Sequence, residues 1–175
     1  MGQIRLPEID KPKVSQLQKQ VEAHSQSLME IVNEIIEPYC KDLDRYVSFI
    51  RDCLKDGENP PTNDELDDFC HNLSTLIYFA GGMCEQLGIR DDISRAVYKE
   101  MYNTHREGLS HGTVADKDSS AELASQQELI TNICYSRAYK TLKSKVENAQ
   151  ELLSSCKKVL THRIQEEELT RIGGK

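Results

Sequence analysis

The sequence predicts an all-α protein, with long amphipathic helices arranged as an elongated bundle or hairpin. Apolar residues recur at alternating spacings of three and four through most of the chain, while the strict alternation of a half-buried strand is nearly absent. Only 38% of the 175 residues are apolar and 29% are charged, with no Trp and three Phe. That composition suits helices with one apolar stripe and wide wet faces better than two broad packed sheets. From Ala115 to Glu168 neither Gly nor Pro occurs, so nothing there breaks a helix. The length is that of one domain and can bury a core without disulfides.

Residues 1–12 contain Pro7 and Pro12, show no period, and read as an extended or disordered arm. A single helical domain is expected over 13–168, with helices near 13–37, 41–55, 63–87, 91–106 and 116–168. The first carries Val14, Leu17, Val21, His24, Leu28, Ile31 and Ile35 as a heptad-like seam, suited to packing against another subunit or inside one. His24 is a polar residue in that seam, a kind of substitution that can select register or oligomer state. Pro38 reads as a stop or kink. Leu43, Tyr46, Val47, Ile50 and Leu54 mark the second helix, followed by a loop at Asp56-Gly57 and Pro60-Pro61.

Thr62 or Asn63 caps the third helix, and Glu65 suits its positive end. Gly81-Gly82 falls inside its apolar run and suggests close packing against a neighbour, and Gly88 reads as its C-cap. Asp91 and Asp92 are placed to open the fourth helix. Gly108 and Gly112 mark a crossing, and Thr113 or Asp116 caps the last helical stretch. A break that leaves a separate helix at 116–131 fits the pattern. The stripe Tyr139, Leu142, Val146, Ala149, Leu153, Cys156 and Leu160 keeps helical spacing thereafter, and 169–175 read as a frayed tail.

No run of 18 apolar residues exists to span a membrane, and the first 15 residues lack a hydrophobic signal core. Six cysteines at 40, 53, 70, 84, 134 and 156 lie mostly among apolar residues, as buried free thiols would in a reducing compartment. A cytoplasmic location is therefore expected, the host cytoplasm or a virion if a phage encodes the chain. Phosphate loops, Cys-x-x-Cys pairs and His-Glu-x-x-His are all missing, and no Ser, Cys or His has partners at a telling spacing. The expectation is a non-enzyme without metal or cofactor.

The net charge of −7 conceals an uneven distribution. Residues 136–163 hold seven Lys or Arg against Glu147 and Glu151. Arg137, Lys140 and Lys143 succeed one another at spacings of three, and Tyr135 or Tyr139 could stack on a base beside them. Arg90, Arg95, Lys99 and Arg106 form a second basic group. The same lysines also suit an ordinary wet helix face with snorkelling side chains.

Over about residues 70–165 the chain resembles the UvsY-like family of phage recombination mediators. The likeness rests on Tyr98-Lys99-Glu100-Met101-Tyr102, the Gly-containing crossing, Thr113-Val114-Ala115-Asp116-Lys117-Asp118, and the long helix with Tyr139, Leu142, Lys143, Leu153 and Ile164. Members of that family form rings, bind single-stranded DNA and help load a recombinase onto strands covered by single-strand-binding protein. The resemblance implies a homo-oligomeric DNA-binding protein in which Lys99 lies where the family places basic residues. Glu100-Met101 stands where the family has a further arginine. Candidate phosphate contacts are Lys99, Arg106, Lys117, Arg137, Lys140 and Lys143. The alternative is a structural or adaptor protein acting through helix packing alone.

Overall fold

A computed structural model describes residues 11–173, and among them it contains four helices and no strand. They are α1 (Lys11–Lys55), α2 (Asn63–Gly108), α3 (Val114–Ala124) and α4 (Gln126–Gly173). The all-α bundle expected from periodicity is what forms. The arm expected at 1–12 lies outside the described residues up to position 10, and Lys11 and Pro12 already belong to α1.

Side-chain contacts give the directions. Asn63 donates from Nδ2 to Glu167 at 2.8 Å, while Asn132 reaches Ser94 at 3.0 Å, so α2 and α4 run antiparallel. Tyr39 accepts from Arg90 at 2.9 Å and Phe49 meets Phe69 edge-on at 5.7 Å, so α1 is antiparallel to α2 as well. Three long helices thus form the bundle, and α3 is a short turn between two of them. One core cluster lies near the 56–62 loop and includes Leu43, Ile50, Leu66, Leu73, Ala149 and Cys156. The other sits further along and includes Val32, Ile36, Leu87, Ala138 and Leu142.

Several sequence signals for breaks are overridden. α1 runs through Pro38 as one helix instead of stopping at 37. Proline there removes one backbone hydrogen bond, but Ile36 and Cys40 on either side are each 3% exposed, and their burial holds both turns in line. α2 likewise runs through Gly88, Asp91 and Asp92, which neither end one helix nor begin another. Gly88 instead packs against Tyr139 of α4, where a Cβ would meet the ring at 3.4 Å, an ordinary contact distance. The close packing expected at Gly81-Gly82 is absent: a Cβ at either position meets nothing within 4 Å.

The true ends have identifiable chemistry. Thr62 caps α2 in a capping box with Glu65, and Thr113 caps α3 in the same way with Asp116. Hydrogen bonds from these threonines hold both carboxyl groups below their ordinary values. A depressed carboxylate pKa stabilises the fold above the unfolded-state value, and that stabilisation fades as pH falls through the folded one. Ser125 separates α3 from α4. It is fully buried, and both its backbone N–H and its hydroxyl donate to the Ala121 carbonyl, at 3.0 and 2.8 Å. A separate helix does precede the last one, but it ends at Ala124 rather than 131, and the last helix runs from Gln126 through the segment expected to fray as far as Gly173.

Open space at Gly81 and Gly82 has a direct consequence for stability. Replacing both with Ala should stabilise the protein by about 1 kcal/mol per site in urea unfolding, the difference in helix propensity. A loss of stability would show that these positions meet a neighbour after all.

Candidate interaction surfaces

The first half of α1 is bare. Every residue from Ser15 to Ser27 is exposed, including Leu17 at 51% and Val21 at 66%. The seam expected from the sequence is therefore divided. Leu17, Val21, His24 and Ile31 face outward, whereas Leu28 and Ile35 pack partly against the chain's own core; the side chain of Val14 lies outside the described residues. The division has a geometric cause. At this level Ser25, Leu28, Met29 and Val32 of α1 form a groove with Ile133, Cys134, Arg137 and Thr141 of α4. A second open groove, lined by Ile93, Val97, Glu128 and Tyr135 among others, lies between α2 and α4 and has no residue of α1 in its walls.

The basic residues do not form one track. Arg106 is held by the Asp118 carboxylate, which also accepts from Tyr102 at 3.2 Å, so this arginine ties α2 to α3. Its side chain stays 45% exposed while Nε is engaged by Asp118. Lys145 is taken by Asp44 at 2.6 Å, and Arg163 donates to the Pro61 carbonyl. Arg137, Lys140 and Lys143 are exposed, but steps of three residues turn a helical position back by roughly 60° each. Arg137 consequently faces the α1 groove, while the charge of Lys143 is felt at Cys84 on α2. Lys99 is exposed on α2 and Lys117 half-exposed on α3. Tyr135 and Tyr139 are half-buried, with Tyr139 committed to Gly88, and do not stand as free stacking platforms beside the lysines.

Buried polarity is concentrated between α2 and α4. Asp91 is 5% exposed and Ser94 8%. Arg95 donates to Asp91 at 2.8 Å, and Asn132 donates to Asp91 Oδ1 at 3.3 Å and to Ser94 Oγ at 3.0 Å. Sequence reasoning takes Asp91 for a helix start and misses this group. The signal is present, because Leu87, Asp91, Ser94 and Tyr98 continue the inward helical spacing.

The cysteines are free, and five of the six are buried. Burial raises the thiols of Cys70, Cys84, Cys134 and Cys156. Cys40 is pushed up to about 11 by burial and by its hydrogen bond with Asp44. Such thiols stay protonated at neutral pH and make poor nucleophiles. Among the described residues no three His, Cys, Asp or Glu side chains gather as a metal-ligand set, and no helix is long and apolar enough to cross a membrane. Comparison with protein-family models, with curated proteins and with solved structures finds no match to this chain.

The Asp91 group yields a clear test. Asn132→Ala leaves a buried carboxylate oxygen and the Ser94 hydroxyl short of a donor and should cost roughly 1–3 kcal/mol. Denaturant unfolding should show this as a shift in midpoint with no change in slope.

Proposed function

We propose that the protein is a non-enzymatic helical interaction protein that self-associates through the first half of α1. One observation carries this reading: a helix continuous with the folded bundle presents Leu17, Val21, His24 and Ile31 to solvent with no partner among the described residues. Isolated helical segments of this length are marginal in water and gain their stability mainly by packing an amphipathic face. Covering a Leu or Val there is worth about 1.5–3 kcal/mol per side chain. The protonated, buried thiols support a role without covalent chemistry. A structural or adaptor protein, in a virion or in the cytoplasm, is the class this surface suits.

A second reading is single-stranded DNA binding in phage recombination or replication, alongside a recombinase or single-strand-binding protein. Exposed Arg137, Lys140 and Lys143, with Lys99 and Lys117, favour it. The pairing of Arg106 and the spread of the lysines around α4 make it the weaker of the two.

Light scattering after size exclusion separates the readings. The full chain should show a mass that rises with concentration, and Leu17→Glu with Val21→Glu should leave a folded monomer. A wild-type monomer at every concentration would count against self-association. For the second reading, a labelled single-stranded oligonucleotide should bind at low salt, weaken as salt rises, and lose affinity with Lys140→Glu and Lys143→Glu. Absence of binding at low salt removes that reading.

A further inference from the structure

We infer that the bare stripe of α1 docks in the open α2–α4 groove of a second copy, with His24 set against Glu128. This rests on the self-association proposed above and names the surface that receives α1.

The inserting helix projects from the bundle. α1 and α4 both run antiparallel to α2, and the pairing of Asp44 with Lys145 sets Gln126, the start of α4, level with about Ser25. Leu17, Val21 and His24 lie before that level, and all three are exposed. The helical turn keeps them within roughly 60° of one another. Glu22 is turned about 100° from Val21, on the side away from His24. The stripe is thus apolar, ends in an imidazole and carries no carboxylate.

The receiving groove has the complementary lining. Ile93 and Val97 of α2, both exposed, stand across from Thr131 and Tyr135 of α4, with Glu128 in the wall. One oxygen of Glu128, Oε2, is shut off from solvent and has no hydrogen-bond partner among the described residues. Arg90, in the same groove, donates to Tyr39 instead. A carboxylate oxygen withdrawn from water without a donor is costly, and a donor brought in by another chain relieves that cost. An imidazole offers an N–H whether neutral or protonated, and a favourable charge when protonated. The terminal torsion of a glutamate is broad and two-fold, so either oxygen can turn to meet it.

The lengths agree. Asn132 meets Ser94, so Val97 stands at the Glu128 end of the groove and Arg90 at the Tyr135 end. Seven residues separate His24 from Leu17, as they separate Glu128 from Tyr135 and Val97 from Arg90, about 10 Å of helix in each case. With His24 at Glu128, Leu17 therefore reaches the Tyr135 end, and Val21 lies between them beside Ile93 and Thr131.

The test uses two full-length variants, His24→Glu and Glu128→Lys, each checked for folding by circular dichroism. The first sets two carboxylates against each other, and the second leaves His24 facing an ammonium. Each alone should weaken self-association, read by light scattering across concentrations, by at least about tenfold. Mixed in equal amounts, the two should associate nearly as wild type does, because the new carboxylate of one meets the new ammonium of the other. Val97→Glu, at an exposed groove position away from the first turn of α4, should weaken association as well. Folded Glu128→Lys or Val97→Glu that associates as tightly as wild type would show that the groove is not the receiving surface. A mixture no tighter than its components would show that positions 24 and 128 do not meet; either result overturns the inference. Wild type that stays monomeric at all concentrations would instead defeat the underlying proposal.

Discussion

The antiparallel packing of α2 on α4 is the contact on which the rest of the molecule depends. Both core clusters draw on these two helices, from Leu66 and Cys156 at one end to Leu87 and Ala138 further along. Hydrophobic stripes alone tolerate sliding, because one apolar turn resembles the next. Asp91, Ser94 and Asn132 remove that freedom, since a shift by one turn would leave buried polar atoms without partners. Asn63 with Glu167 and Arg163 with the Pro61 carbonyl tie down the opposite end. With the two helices set in register, α1 has a surface on which to lie for part of its length.

That partial fit produces the exposed surface. From Val32 onward α1 shares its apolar residues with both clusters, and Lys145 with Asp44 bridges it to α4. Before Leu28 every described residue of α1 from Ser15 onward is exposed, so its stripe is not covered by the other described residues. The α2–α4 groove around Ile93 and Val97 likewise has no α1 residue in its walls. Helix packing inside the subunit and availability for association are thus two results of one geometry.

The helices and their apolar stripes were legible in the sequence because a 3.6-residue period shows through polar surroundings. The seam of α1 was legible for the same reason, as were the two threonine caps. The punctuation was less so. Pro38 and Gly88 are local signals for a break, and each loses to the helix that continues through it, while Gly81-Gly82, expected inside a continuous helix, lie there but in open space rather than against a neighbour. Asp91 was misplaced because a carboxylate near a glycine usually marks a helix start. Here Arg95 and Asn132, the latter forty-one residues away on another helix, make an interior site tolerable. The lysines of α4 seemed to align because spacings of three do bring neighbours together, yet over two such steps the rotation accumulates.

By itself the sequence determined that this chain is helical and where its apolar faces run. Those properties come from local periodicity and composition, which survive without knowledge of any partner element. Tertiary structure alone decided which apolar residues are covered and which basic residues are spent. Leu28 and Leu17 stand on the same stripe, and only the point at which α1 leaves the bundle separates the half-buried one from the bare one. Arg106 and Lys140 are equally basic and both exposed, and only the approach of Asp118 gives one of them a carboxylate partner. Burial and pairing are relations between distant segments, so they appear only once those segments have met.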